Sequence, residues 1–437
     1  MLSSKRFRTA QATEILPRGQ LMNPRSYSMV AFVFAGFFVM SLLTNILGPI
    51  MPDLVRSFDL SLTTAAMLPF SFFIAYGVIS VPAGVLAESI SIKGLTAGSF
   101  LLSFFGALLF VLYPSYWTAI PSLFVIGSGM AMLQVVLNPL LRIAGGEEHF
   151  AFNSALAQVI FGAASFLSPR LYSSLVGQLS EKGGSAHAPW IQALSAVVPH
   201  SLPWLSMYWL FVPITLAMLL VIAVLRFPAS LRSGDEQKLS WQGYKTLLRR
   251  PLVVLYFLGI FAYVGSEQGV ADWMSQFLLT RHGYDPRTDG ASAVSWYWGF
   301  QTLGCVAALP LLKLFDSRRV LIAAAMAAMA CLTAAIWGPA QISLWAFPSI
   351  GFFASVIWPV TVSLALNSVH DGHGALTGIL CVGIAGGAVV PLAIGSLADH
   401  LCLAAGLSLL YLAFGWSFAL GFWARPIISN KIVSFST

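Results

Sequence analysis

Residues 251–279 read PLVVLYFLGIFAYVGSEQGVADWMSQFLL. The run is continuous and apolar, and it exceeds the roughly 20 residues a helix needs to cross a hydrocarbon core. Two acids interrupt it, Glu267 near the middle and Asp272 five residues further on. A carboxylate at the centre of a bilayer costs roughly 2.5–3.5 kcal/mol even on the lenient insertion scale. Only 9% of the residues in this chain are charged. An intramembrane acid facing a cavity serves a solute, an ion or a proton, so this stretch reads as a span with work to do.

The rest of the chain has the same character. Of 437 residues, 58% are hydrophobic, and the mean hydropathy is +0.82. Ordinary globular chains are about 45–50% apolar and about 25% charged. The surplus must face lipid. Only helices or closed barrels pair all their backbone groups inside a bilayer. Continuous rather than alternating runs select helices.

Runs of spanning length fall near 29–51, 65–87, 93–113, 117–141, 152–178 and 203–227. Six more fall near 250–279, 293–312, 319–338, 341–368, 374–398 and 401–425. The expectation is an all-α membrane protein of twelve transmembrane helices in two bundles of six. Residues 1–28 form a cytoplasmic tail, 29–227 the first bundle, 228–249 a polar linker, 250–425 the second bundle and 426–437 a second tail. With the N-terminus inside, 18 of the 23 Lys and Arg fall on cytoplasmic segments. The exceptions are Arg56, Arg170, Lys182, Arg281 and Arg287. That asymmetry follows the positive-inside rule and places both termini in the cytoplasm.

The net charge of +7 therefore reads as topology, and no nucleic-acid partner is expected. Cys305, Cys331, Cys381 and Cys402 show no CxxC spacing, so neither a metal site nor a disulfide is expected. The polar, basic start of the chain gives no cleavable signal peptide. The stretch from about 180 to 202 is a longer outer loop with room for a short interfacial helix. There is no metal-ligand cluster, phosphate-binding loop, dinucleotide fingerprint or catalytic triad. The chain reads as neither an enzyme nor a cofactor protein.

Two sets of six spans around a polar linker is the layout of major facilitator transporters, whose sites lie at mid-membrane between the halves. The informative residues are then polar groups at depth. Span 1 carries Asn45, either a solute or ion contact or a clip between helices. Span 7 carries Glu267, Gln268, Asp272, Trp273 and Gln276. Asp272 sits either in an outer vestibule or at the wet interface. Span 4 carries Gln134 and Asn138, four apart and so on one face, followed by Pro139. Span 5 carries Gln158. Span 8 opens on Trp296, Tyr297 and Trp298, more simply an interfacial belt, and continues to Gln301. Span 10 carries Ser355 and Trp358, an aromatic ring deeper than a belt residue. Arg170 reads as a snorkelling side chain.

Taken together these residues resemble the fucose/glucose/galactose permease family of the major facilitator superfamily. The resemblance runs through Phe73, Tyr76, Pro82-Ala83-Gly84 and Lys93-Gly94, then the Leu-Gln-Val-x-x-Asn-Pro pattern at 133–139. It continues through Leu156-Ala157-Gln158, Tyr263-Val264-Gly265-x-Glu267 with Trp273, Gly351 to Pro359, and Gly386-Gly387-Ala388 to Asp399. It implies uptake of a monosaccharide by alternating access, driven by a cation gradient. It also implies that Asn45, Gln134, Gln158 and Glu267 border the site. Three departures stand out. Asn45 replaces an acid common in the family's first span, Phe161 replaces an Asn in the fifth, and Ala354 an Asn in the tenth.

The full expectation is therefore a multi-pass bacterial inner-membrane carrier, a monomer in the lipid bilayer, with a hexose such as glucose, galactose or fucose as substrate. The substrate-binding candidates are Asn45, Gln134, Asn138, Gln158, Gln268, Trp273, Gln301, Ser355 and Trp358. The cation-coupling candidates are Glu267, Asp272 and Asn45. Since Asn45 cannot titrate, coupling falls on Glu267 as a proton carrier, or on a sodium ion beside an ionised Glu267, or is absent in a uniporter. No cofactor is needed; Na+ or H+ would be cargo. An efflux transporter for another small polar metabolite shares the layout. Glu88 and Lys93, with Asp316, Arg318 and Arg319, occupy corresponding loops and resemble the superfamily's cytoplasmic charge latch; the alternative is ordinary positive-inside charge.

Overall fold

The computed structural model describes residues 26–146, 149–180, 188–227, 246–369 and 373–424. The two expected tails and most of the linker at 228–249 lie outside these. Among the described residues there are helices and no strands.

Eleven helical segments are long and apolar enough to cross a membrane. They are spans 1 to 7 and 9 to 12: Tyr27–Phe58, Leu62–Ala87, Ile92–Leu112, Tyr116–Gly145, Phe152–Ser180, Pro203–Val224 and Pro251–His282, then Ser317–Trp337, Ala340–Leu366, Leu376–His400 and Leu403–Trp423. Span 8 is the helix Ala291–Leu314. It has the length, but Trp296, Tyr297, Trp298, Gln301 and Thr302 lower its hydropathy. The expected interfacial helix is present at Pro189–Val197.

Short polar hinges set the turns. Ser61, Ser91 and Ser115 each accept a hydrogen bond from the backbone N–H three residues on, at 3.2, 3.1 and 3.3 Å, and so cap spans 2, 3 and 4. Asp316 caps span 9 by accepting from Arg318 N at 2.8 Å. A side-chain oxygen at this position satisfies a donor that the helix leaves orphaned.

The helix contacts repeat between the halves. Span 2 packs on 4 as 8 packs on 10, 3 on 4 as 9 on 10, 3 on 6 as 9 on 12, and 1 on 5 as 7 on 11. The seam between the bundles obeys the same exchange: span 2 meets 11, span 8 meets 5, and span 1 meets 7. Even the charged loops match. Lys93 Nζ caps the end of span 6 by donating to the carbonyls of Ala223 and Leu225 at 2.9 and 3.1 Å. Arg318 Nη1 donates to the Ala424 carbonyl at the end of span 12, 3.4 Å away.

In this state the contacts recorded for Lys93 and Arg318 stay within their own bundles. Arg318 pairs with Asp316 at 3.1 Å, inside its own loop. Burial acts to raise the Asp316 carboxyl, but the Arg318 guanidinium outweighs it and holds that carboxyl below the usual range. The Glu88 side chain lies outside the described residues, and Arg319 forms no ion pair among them.

Twelve crossings put Tyr27 and Trp423 on one face, the terminal face; the other is the far face. The seam is tight from mid-depth to the far side. A Cβ at Gly48 of span 1 would collide with the Ala271 carbonyl of span 7, and at mid-depth one at Gly162 of span 5 with the Thr302 hydroxyl of span 8. Polar ties reinforce the closure. Asp399, at the end of span 11, accepts from Leu62 N and Thr63 N at the start of span 2, at 2.8 and 2.7 Å. Arg170 donates to Ser295 Oγ at 3.2 Å and lies 4.2 Å from the Phe166 ring centroid, so it is a seam residue as well as an exposed one.

The strongest tie was not expected. Span 1 continues to Phe58, past the anticipated end at 51, and carries Asp53 within it. Asp53 is 3% exposed. It accepts from Tyr172 OH of span 5 at 2.5 Å, and from Arg287 Nε and Nη2 at 3.2 and 3.0 Å. Arg287 belongs to the Pro286–Gly290 turn that leads into span 8, so the pair clasps one bundle to the other. Toward the terminal face span 2 still meets the first part of span 11, where a Cβ on Gly77 would lie 3.1 Å from Ala385 Cβ, and these polar ties lie at the far end. The protein is thus closed at the far face.

Breaking a fully enclosed charge pair costs about 3–5 kcal/mol. Arg287 is 34% exposed, so solvent screening reduces the expectation for this clasp to about 1–2 kcal/mol. Asp53→Asn should therefore shift the population toward a far-face-open form by a factor of about 5–30. Spin labels at Arg56 and Arg281, one in each bundle, read this as a growing long-distance component; an unchanged distance distribution would refute the clasp.

Candidate functional site

Glu267 lies at mid-length in span 7, sixteen residues from Pro251 and fifteen from His282. Its neighbours hold it firmly. Tyr263, one turn earlier on the same helix, donates its hydroxyl to Glu267 Oε1 at 2.7 Å. Gln301 of span 8 donates from Nε2 to the same oxygen and to Tyr263 OH at 3.2 Å. Tyr297 OH donates to the Glu267 carbonyl at 3.2 Å. Oε2 takes no hydrogen bond among the described residues, and the residue is half-buried. Donors aimed at one carboxylate oxygen fix the direction of the other.

Trp358 extends the cluster. Its ring tilts toward Tyr263 with centroids 6.2 Å apart, and it is only partly covered. Trp358 follows a break in span 10 between Ala354 and Ile357, which ends one helix and starts another. Gln301 Oε1 and Trp298 Nε1 are buried without partners. The site thus combines a fixed acceptor, unmet amide and indole groups, and an aromatic plane.

Across the seam, Asn45 sits at a second break, between Thr44 and Leu47. Its Nδ2 donates to Ser165 Oγ of span 5 at 2.8 Å, and Ser165 also shares a 2.7 Å hydrogen bond with Ser41. The clip between spans 1 and 5 is real, yet Asn45 Oδ1 remains buried and unpartnered. Both readings of Asn45 therefore survive in one side chain.

The other expected residues divide. Gln134 and Asn138 are half-buried and Gln158 is exposed, all three on the terminal side of the tight seam. Trp273 is completely buried and donates its N–H to the Pro391 carbonyl at 3.0 Å, which makes it a packing residue between spans 7 and 11. Ser355 Oγ turns back to the Phe352 carbonyl at 2.7 Å. Gln268 is 4% exposed and packs near Gly387.

Two expectations are corrected, and Asp53 is a buried acid within the spans that the expected bounds of span 1 left out. Asp272, at 2% exposure, lies neither in a wet vestibule nor at the interface. Tyr297 and Trp298 are core residues of the site rather than a belt. Tyr263 was the omission; it stands four residues before Glu267, on one helix face by spacing alone. Among the described residues no group of three His, Cys, Asp or Glu could hold a metal ion.

Known proteins agree with this architecture. The sequence profile described as Major Facilitator Superfamily matches residues 33–390. A glucose/galactose transporter of Brucella abortus (strain 2308) is 30% identical over 369 residues, covering 83% of this chain and 86% of that one. An L-fucose-proton symporter of Escherichia coli (strain K12) is 26% identical over 402 residues, 86% of this chain and 88% of that one. The crystal structure of FucP in the outward conformation superposes with a TM-score of 0.65 at 22% identity, over 91% of this chain and 99% of the other. The chain belongs to the Major Facilitator Superfamily and, within it, to the fucose/glucose/galactose permease family; it is a transporter and not an enzyme.

Proposed function

We propose that the protein imports a hexose by alternating access, coupled to a cation gradient. The carrying observation is Glu267 at mid-membrane, fixed by Tyr263 and Gln301, with the Trp358 ring alongside. A sugar presents hydroxyl donors on its rim and an apolar C–H face. A fixed carboxylate and a partly open indole complement those two surfaces. Similarity to glucose/galactose and L-fucose carriers supports the substrate class.

In this reading Glu267 is a sugar acceptor. Two donors hold Oε1 in place and leave Oε2 for a hydroxyl. Asn45 Oδ1 and the Gln134 and Gln158 amides supply contacts from the first bundle. The positive-inside bias makes the terminal face cytoplasmic, so the far-face closure corresponds to an inward-facing state. Release of the Asp53–Arg287 clasp then opens the path from outside. The bacterial relatives favour the inner membrane as its place.

Uptake of labelled glucose, galactose and fucose into proteoliposomes tests this directly; no saturable uptake of any hexose would refute it. Glu267→Gln should weaken sugar binding at least tenfold, since hydrogen bonds to charged groups contribute about 1.5–3 kcal/mol. Counterflow exchange should fall together with accumulation. Exchange preserved while accumulation disappears would instead make Glu267 the ion carrier. Gln301→Leu should raise the half-saturating sugar concentration about fivefold with little change in maximal rate.

A further inference from the structure

Span 7 holds a carboxylate that sugar recognition leaves unused. Asp272 Oδ2 is sealed from solvent and has no hydrogen-bond partner. One turn further along, Gln276 Oε1 is sealed and unpartnered as well, and so is Ser275 Oγ. The three residues are 2%, 6% and 0% exposed. Positions three and four apart on a helix are neighbours, so Ser275 and Gln276 share the Asp272 side of span 7. Among the described residues no Lys, Arg or His pairs with it. The helix is pressed against span 1 at this level, where a Cβ on Gly48 would lie 3.3 Å from the Asp272 Cα.

A bare carboxylate enclosed within a membrane span is too costly to keep without a counter-charge. We infer that Asp272, Gln276 and Ser275 form the site of the co-transported ion, a sodium-sized alkali cation loaded from the far face. The donor set is three hard oxygens, as such cations prefer. One carboxylate balances one positive charge, and the acidic clusters that divalent ions use are absent from the described residues. A proton on Asp272 would serve one contact, whereas a cation can take a lone pair from each of the three oxygens, the Ser275 hydroxyl hydrogen turning away.

Location supplies the coupling. Asp272 is ten residues from the far end of span 7, about 15 Å along the helix at 1.5 Å per residue. Between it and the far face lies the Asp53–Arg287–Tyr172 clasp. With the clasp closed the three oxygens are sealed; with the bundles parted they face the seam. The ion therefore enters only in the form that also admits sugar from that side. This deepens the reading of the chain as a cation-coupled hexose carrier and rests on it.

The test uses purified full-length transporter without sugar, melted in sodium chloride and in choline chloride at equal ionic strength. Sodium should raise the melting temperature of the wild type, and Asp272→Asn should abolish the rise. Gln276→Ala, a milder change, should raise the sodium concentration for half the effect about tenfold. In proteoliposomes a sodium gradient should drive hexose accumulation in the wild type, and Asp272→Asn should reduce it at least tenfold. A sodium response that survives in both variants overturns the site, as does accumulation that follows a proton gradient and ignores sodium. A sodium shift lost in Asp272→Asn, with no hexose carried under any gradient, supports the site and refutes the sugar assignment alone.

Discussion

Inside a bilayer no water completes an unfinished hydrogen bond, and this protein is organised around that deficit. Each polar group within the spans either finds a partner in the chain or waits for one to arrive. Most are paired locally: Thr96, Ser99 and Ser103 of span 3 all return their hydroxyls to the carbonyl four residues back. Among the unpaired ones, Asn45 Oδ1, Gln301 Oε1, Trp298 Nε1 and the Asp272 group lie on spans 1, 7 and 8, which meet at the seam; others, such as Ser122, Tyr208, Thr361 and Trp416, are spread over spans 4, 6, 10 and 12. Spans 1 and 10 break beside Asn45 and Trp358, which interrupts the regular helix next to the site.

The internal repeat explains how a seam can be both tight and reversible. Exchanging the halves turns the 2–11 contact into 8–5 and leaves 1–7 in place. The two charged loops show the same rule at a finer scale, with Lys93 and Arg318 each capping the last helix of its own bundle. Such caps stiffen a bundle as a unit and leave the seam alone. Ties that do cross, Asp53 to Arg287, Asp399 to the start of span 2 and Arg170 to Ser295, lie in the far half. Rigid halves with polar ties at one end can rock without unpacking their cores.

Much of this was legible in the chain itself. Apolar runs and the placement of Lys and Arg gave twelve spans, and the burial cost of an acid singled out Glu267. What escaped was pairing between distant segments. Asp53 and Arg287 are 234 residues apart, and nothing in either neighbourhood announces the other. Trp273 and Trp358 look alike as deep tryptophans, but one gives its N–H to Pro391 and the other lies partly open beside Tyr263. That difference depends on helix rotation, which an apolar span conceals because its pattern is nearly uniform around the axis. Loop charge is ambiguous for a related reason: it follows topology as readily as it follows contact.

In the proposed coupling the two acids of span 7 divide the labour by their surroundings. Glu267 is given donors, which fix its direction without an ion. Asp272 Oδ2 is sealed with no recorded donor, which leaves its charge to an ion. A carrier couples two cargoes when both favour the same conformational change, and a ligand shifts that equilibrium only by its differential affinity for the two states. The clasp sets the scale. A tie of about 1–2 kcal/mol biases the far face toward closure by a factor of only about 5–30, within reach of a bound ion and a bound sugar acting together. A stronger tie would hold the far face shut against them; a weaker one would let the bundles part without cargo. The modest strength follows from the exposure of Arg287, so solvent at the far face tunes the coupling as much as any residue at the site.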